Sequence, residues 1–118
     1  MHNPVMIETH EIKAVQEAWG KAVVAVGAAP TWEEARSLAV KLAEELYAID
    51  GGELLFCPTK ASVNQFRASL KDVLSYFVGR DPDHEEDAGF ALEPWSSVRF
   101  ENAGIIERED VGLAMGNY

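Results

Sequence analysis

Cysteine is nearly absent from this sequence of 118 residues, and its scarcity excludes several kinds of protein. The lone thiol, Cys57, can form neither an internal disulfide framework nor a zinc site built from several cysteines. No apolar run approaches the roughly 20 residues that a membrane-spanning helix needs. The first residues lack the basic start and apolar stretch of a signal peptide. We therefore expect a cytoplasmic protein that does not span a membrane.

Basic residues and histidines are also few. Ten Lys and Arg residues face 20 Asp and Glu residues, so the formal net charge is −10. Such a chain repels nucleic-acid phosphates and anionic lipid surfaces, and we expect neither as a partner. The histidines, His2, His10 and His84, all lie in polar surroundings, which offers no evident base for a nucleophilic Cys57. We therefore predict that this thiol is a small packing residue in the core or at its rim.

An acidic segment from Arg80 to Gly89 contains the alternating pattern of a calcium loop, starting at Asp81. The pattern does not hold, because an EF-hand requires glycine where Glu86 stands and a bidentate glutamate where Leu92 stands. We predict a mobile, solvated loop here and expect no metal or other cofactor.

Three segments repeat apolar residues at helical spacing and are bounded by capping, proline or glycine signals. They run from Pro4 or Glu11 to Val26, from Thr31 to Asp50–Gly52, and from Ser62 to Gly79. Thr31 and Ser62 each begin a capping-box pattern. Between the second and third helices, Leu54–Cys57 is a short apolar run that predicts a buried strand.

The last quarter of the chain, Pro94–Tyr118, alternates side chains with the two-residue period of a β-strand and predicts a hairpin. Gly104 suggests a bulge, and the preceding pattern favours an outward-facing Arg99. We expect the helices to pack on this hairpin. The returning strand leaves an unpaired edge, which predicts a homodimer formed through the C-terminal strands.

Several segments together carry a family resemblance. They are Glu17–Gly20, Leu54–Lys60, Gln65–Phe66, Leu74–Gly79, Gly89–Leu92, Pro94–Trp95, Val98–Ile105 and Ala114–Tyr118. In these segments the chain resembles the nuclear transport factor two-like superfamily, and most closely its small, uncharacterised SnoaL-like bacterial proteins. The resemblance implies one α+β domain over residues 1–118, with three N-terminal helices packed on a curved, cone-like antiparallel sheet. Because members usually continue past Tyr118 with further strands, we expect a shortened chain whose sheet is completed by oligomerisation.

The resemblance favours a homo-oligomeric binding or assembly module with a possible apolar small-molecule pocket. The side chains expected around such a pocket are Trp19, Tyr47, Phe66, Trp95, Phe100, Asn102 and Met115. The alternative is an enzyme of the SnoaL or ketosteroid-isomerase type, with a carboxylate as general base. Its candidates are Glu101, aided by Asn102, Tyr47 or Tyr76. No catalytic residue is assigned on the sequence alone.

Overall fold

The computed structural model describes residues 6–47, 49 and 54–118. This part of the chain contains three α-helices, one short 3-10 helix and one antiparallel hairpin. In chain order they are α1 (Thr9–Ala28), α2 (Trp32–Leu46), α3 (Leu70–Val78), the 3-10 helix Phe90–Leu92, β1 (Glu101–Glu107) and β2 (Gly112–Asn117). The predicted α+β class is confirmed. None of the described helices is both long and apolar enough to cross a bilayer.

Helices α1 and α2 form where capping residues satisfy their first backbone N–H groups. Glu8 caps α1 and exchanges hydrogen bonds with Glu11 in a capping box. The Thr31 hydroxyl accepts a 3.1 Å hydrogen bond from the Glu34 N–H at the start of α2, as the sequence predicts. The predicted start at Pro4 and the predicted stop at Asp50–Gly52 both lie outside the described residues.

Helix α3 begins later than its sequence pattern predicts. Ser69, not Ser62, provides the cap, and its hydroxyl accepts from the Asp72 N–H at 3.2 Å. The Ser62 hydroxyl and the backbone N–H groups of Ser62–Asn64 instead bind the Glu86 carboxylate, so this hydroxyl does not cap a helix. As a result Phe66, predicted on the buried helical face, is 78% exposed.

The predicted strand Leu54–Cys57 is wrong. The segment is irregular, Leu55 is 91% exposed, and Cys57 is exposed. The Phe56 carbonyl accepts a hydrogen bond from the Arg67 N–H at 2.8 Å, which joins the segment to a loop rather than to a sheet. Apolar side chains here serve as walls and as exposed surface.

The hydrophobic core lies among the three helices rather than on the sheet. Its least exposed members come from all three helices: Val23, Val26, Ala39, Val73 and Phe77. No residue of either strand belongs to this buried cluster, and every residue of β2 is exposed. The prediction that the helices pack on the hairpin holds only for α1, whose Gln16 exchanges hydrogen bonds with Asn102. Helix-to-helix packing buries the main apolar faces.

The hairpin itself is confirmed, including its irregularity. Antiparallel pairing of β1 and β2 shifts register between Asn102 and Gly104, where a bulge was predicted. Within the described residues the sheet has these two strands alone. The molecule measures 54 × 29 × 24 Å with a radius of gyration of 15.4 Å. A compact domain of about 100 residues has a radius of gyration near 13 Å, so the shape is extended.

Candidate functional site

All three tyrosines of the chain line one cavity of about 330 Å³, although they come from distant positions in the sequence. Tyr47 caps the end of α2, Tyr76 lies in α3, and Tyr118 follows β2. Thr59 adds a fourth hydroxyl from the turn after Pro58. We call the cavity bounded by these four hydroxyl groups the hydroxyl pocket.

Aromatic rings form the walls between the hydroxyl groups. The Trp19 ring lies edge-on to Tyr118 and Phe100, with centroid separations of 5.3 and 5.8 Å. The Phe56 ring packs edge-on against Tyr47, with a centroid separation of 5.3 Å. Such a wall favours a small apolar molecule, while the hydroxyl groups supply directional polar contacts.

Two of the tyrosine oxygens already accept a hydrogen bond from the protein. The Trp19 indole N–H donates to the Tyr47 hydroxyl oxygen at 3.1 Å, and the Lys60 backbone N–H donates to that of Tyr76 at 3.3 Å. A phenol has one proton to donate and can accept at its oxygen. Because these contacts use the acceptor side, each hydroxyl proton is free to donate into the pocket.

Burial moves the pKa of both Tyr47 and Tyr76 further above neutral pH. It raises the pKa of Tyr47 to about 12, and the Trp19 hydrogen bond opposes this only in part. Burial likewise raises the pKa of Tyr76, with the Lys60 N–H acting in the opposite direction. At neutral pH both side chains are therefore neutral hydrogen-bond donors rather than bases.

The Thr59 hydroxyl contacts the Tyr118 hydroxyl. Thr59 Oγ1 and Tyr118 Oη lie 3.1 Å apart and share a hydrogen bond on the exposed side of the pocket. An exposed neutral hydrogen bond contributes only about 1 kcal/mol, so a ligand of comparable polarity can replace it.

The turn that carries Thr59 is held by the segment predicted to be a mobile, solvated loop. The Glu86 carboxylate accepts backbone N–H bonds from Ser62, Val63 and Asn64 at 2.7 to 3.2 Å. These donors lower the pKa of Glu86 to about 2. The segment is thus bound to its neighbour rather than solvated along its length.

A buried ion pair completes this attachment. Arg67 is 0% exposed and forms two hydrogen bonds to Asp87, at 2.7 and 3.0 Å. Its remaining donors reach the backbone carbonyls of Asn64 and Asp72. Asp87 also accepts from the Ser75 hydroxyl in α3. The network joins the segment containing Arg67 to α3 and to the acidic loop, and so positions the adjoining turn.

The structure brings together three of the side chains predicted to surround a pocket: Trp19, Tyr47 and Phe100. Asn102 lies beside them and exchanges two amide hydrogen bonds with the pocket residue Gln16, at 2.8 and 2.9 Å. Trp95 lines a neighbouring cavity. Phe66 and Met115 are 78% and 76% exposed and lie outside both linings. Ligand binding by any of these seven residues stays a prediction.

Sequence patterns gave no sign of Thr59 and Tyr118 as pocket residues, because neither belongs to a recognisable catalytic motif. Cys57 lines the same pocket and is exposed. Glu101, the predicted general base, is exposed and is not a lining residue. In the part of the chain that the structure describes, the lining contains no carboxylate or imidazole. The residues that the structure describes also include no group of three or more His, Cys, Asp or Glu side chains placed to hold a metal ion.

Comparison with known proteins identifies the kind of protein that has this pocket. The family profile described as metal-independent carbonic anhydrase matches residues 10–118. A curated metal-independent carbonic anhydrase from Nostoc sp. (strain PCC 7120) is 39% identical over 115 residues, covering 94% of this chain. The chain spans 56% of that relative's length. The crystal structure of a cyanobacterial iota-carbonic anhydrase complexed with bicarbonate superposes with a TM-score of 0.88. It is 36% identical, and the match covers 98% of this chain and 75% of that one.

These matches correct the family and function predicted from the sequence. The assignment to SnoaL-like proteins of the nuclear transport factor two-like superfamily is wrong, because the family match and both relatives are carbonic anhydrases. The same findings contradict the binding or assembly module and its alternative, an enzyme of the ketosteroid-isomerase type.

Proposed function

Because the chain belongs to the metal-independent carbonic anhydrase family, we propose that it catalyses the reversible hydration of carbon dioxide to bicarbonate in the hydroxyl pocket. The observation that carries this proposal is the family match over residues 10–118, which includes all four hydroxyl residues. A similar solved structure holds bicarbonate, a product of this reaction. The activity of the whole protein is inferred from these similarities.

The pocket supports this chemistry through its pairing of apolar walls with neutral donors. Carbon dioxide is apolar and suits the aromatic wall around Trp19 and Phe100. When water or hydroxide attacks the carbon atom, negative charge develops on the carbon dioxide oxygens. The free hydroxyl protons of Tyr47 and Tyr76 are placed to donate to those oxygens. Donors fixed before the reaction stabilise such charge without reorganisation.

Proton release follows from the composition of the lining. Attack by water must release a proton, and the described lining residues offer no carboxylate or imidazole to receive it. Because Tyr47 and Tyr76 are neutral at neutral pH, with pKa values raised by burial, the proton passes to solvent or buffer. We therefore expect hydration to accelerate with buffer concentration.

The test is a stopped-flow measurement of carbon dioxide hydration with a pH indicator. We expect Tyr47→Phe and Tyr76→Phe each to lower kcat/KM by about 10²-fold, the typical effect of losing one donor to a developing oxyanion. Ser37→Ala removes a hydroxyl from the exposed face of α2 and should leave the rate unchanged. Retention of full activity in both pocket variants would refute the proposed site.

Bicarbonate binding can be measured without turnover, because Cys57 is the only cysteine and lines the pocket. Bicarbonate should slow modification of this thiol by a neutral maleimide in the unaltered protein. The same concentrations should protect less in Tyr76→Phe. Equal modification rates with and without bicarbonate would argue against binding in this pocket.

We also propose that a second copy of the chain covers the hairpin and extends its sheet. Leu113 and Met115 on β2 are 55% and 76% exposed, and Ile106 on β1 is 47% exposed. An antiparallel edge can pair with its own copy about a twofold axis, and a partner that also packs against the sheet face would bury these side chains. Light scattering should give a mass twice that of one chain. The Leu113→Glu variant should have the mass of a single chain. A monomer for the unaltered chain at micromolar concentration would refute this arrangement.

A further inference from the structure

A second cavity, of about 460 Å³, shares Tyr118 with the hydroxyl pocket. Its other lining residues include Phe90, Trp95 and Arg99. Tyr118 is therefore a common wall, and its exposed hydroxyl is the one that bonds to Thr59. A molecule in the second cavity lies next to the exposed side of the hydroxyl pocket.

One cationic side chain lines this second cavity, and another lies over two of the aromatic rings that form its wall. Arg99 lines it and is exposed. Lys60 places its ammonium group 5.9 Å from the centroid of Phe90 and 6.0 Å from that of Trp95. Attraction to the ring faces holds the ammonium group in place. The rings do not neutralise its charge, whereas a carboxylate would.

Neither charge is neutralised by an ion pair among the described residues, where the lysine and arginine bridges involve Arg67 and Lys71. Lys60 also faces a smaller cavity that contains Glu86 and Asp87. Those carboxylates are already engaged, the first by backbone N–H groups and the second by Arg67. Neither carboxylate pairs with Lys60, whose ammonium group lies beside Phe90, a wall that the smaller and the second cavities share.

These cations matter because the protein as a whole repels anions. Its formal net charge is −10, and bicarbonate carries one negative charge. The lining of the hydroxyl pocket described above supplies neutral donors and no cation. Attraction of an anion must therefore come from charges beside the pocket, and clefts with local positive charge raise the local concentration of anions.

We propose that Lys60 and Arg99 form a cationic mouth through which bicarbonate enters and leaves the hydroxyl pocket past Tyr118. The inference rests on the proposed carbonic anhydrase activity and assigns its substrate path. The two side chains raise the rate of encounter with the anion and make no contact with the reacting carbon.

The electrostatic part is tested at Cys57, which lies in the adjoining hydroxyl pocket and is the only cysteine. Its rate of modification is measured with the dianionic dithiobis-nitrobenzoate and with the neutral dithiodipyridine. The ratio of the two rates reports the local potential, because a change in thiol pKa affects both reagents. A unit charge a few ångströms away changes the local concentration of a monoanion by roughly two- to fivefold in water.

We expect Arg99→Gln and Lys60→Gln each to lower this ratio by at least about twofold at low ionic strength. Arg99→Lys should preserve it. The difference should disappear near 1 M salt, where the screening length is about 3 Å. Arg108→Gln is the matched control, since it removes an exposed arginine at the hairpin turn and should leave the ratio unchanged. An unchanged ratio in both mouth variants, or an equal fall in the control, would overturn the proposal.

Activity provides the second measurement. In an active enzyme, kcat/KM should fall by the same factor for hydration and dehydration, because the overall equilibrium is fixed. A lowered ratio with unchanged kcat/KM would also overturn the proposal, since the substrate would not use this path. The thiol measurement needs no turnover. An inactive protein with the expected ratios would refute the proposed function alone, whereas an active protein with unchanged ratios would refute the mouth alone.

Discussion

Replacing Asp87 by asparagine should lower the stability of this protein more than any other single change of charge in the acidic loop. The Arg67 side chain is 0% exposed and that of Asp87 is 2% exposed, so the pair has almost no access to water. Asparagine keeps the shape but removes the charge that compensates the guanidinium group. Leaving one charge of a buried pair without its partner costs about 3–5 kcal/mol. Domains are stable by about 5–15 kcal/mol in total, so the loss is a large fraction.

Urea denaturation followed by tryptophan fluorescence measures this loss, with an unchanged slope showing that the unfolding transition is comparable. Asp83→Asn is the matched control in the same loop. Asp83 is 73% exposed and pairs with Lys71, which is 60% exposed, so its loss should cost no more than about 1 kcal/mol. Equal destabilisation by the two substitutions would refute the reasoning. Arg67→Met combined with Asp87→Leu should recover part of the loss, because no buried charge then remains.

Three further predictions concern titration and packing. The unaltered protein should lose stability as the pH rises from about 10 to 12, and Tyr47→Phe should make this loss smaller by about 2–3 kcal/mol. The unfolded tyrosine loses its proton near pH 10 while the folded one retains it until a pKa of about 12, as urea titrations across this range would show. Glu86→Gln should flatten the decline of Tm with acid, because the lowered pKa stabilises the fold above about pH 4.5 and this stabilisation is lost as the pH falls toward 2. Calorimetry at several pH values tests this, and an unaltered slope would contradict it. Gly27→Ala should cost about 1–3 kcal/mol, because a Cβ there would lie 2.6 Å from the Glu93 carbonyl oxygen. Gly104→Ala, with no atom within 4 Å of the added carbon, is its control in urea denaturation.

Local signals located the elements whose ends are determined by nearby residues. The Thr31 cap specifies the start of α2, because the donor and acceptor are three residues apart. The two-residue period and Gly104 specified the hairpin and its bulge. Local signals gave the wrong prediction at Ser62. Its capping pattern is intact in the sequence, but the Glu86 carboxylate, 24 residues away, binds the Ser62 hydroxyl and backbone N–H group.

The site was less predictable than the fold. Trp19, Tyr47 and Phe100 were predicted around a pocket and do line one. Their chemical role depends on partners that spacing does not reveal, such as the indole N–H that leaves the Tyr47 proton free to donate.

The amino-acid sequence alone determined the acidic net charge, the helical faces and the terminal hairpin, because these depend on composition and on neighbours a few residues apart. Only the tertiary structure decided that the helices bury one another and leave the hairpin exposed. It also brought three tyrosines and one threonine, separated by as many as 71 positions between Tyr47 and Tyr118, around a single cavity. Burial in that cavity, which no local pattern encodes, raises the pKa of both Tyr47 and Tyr76.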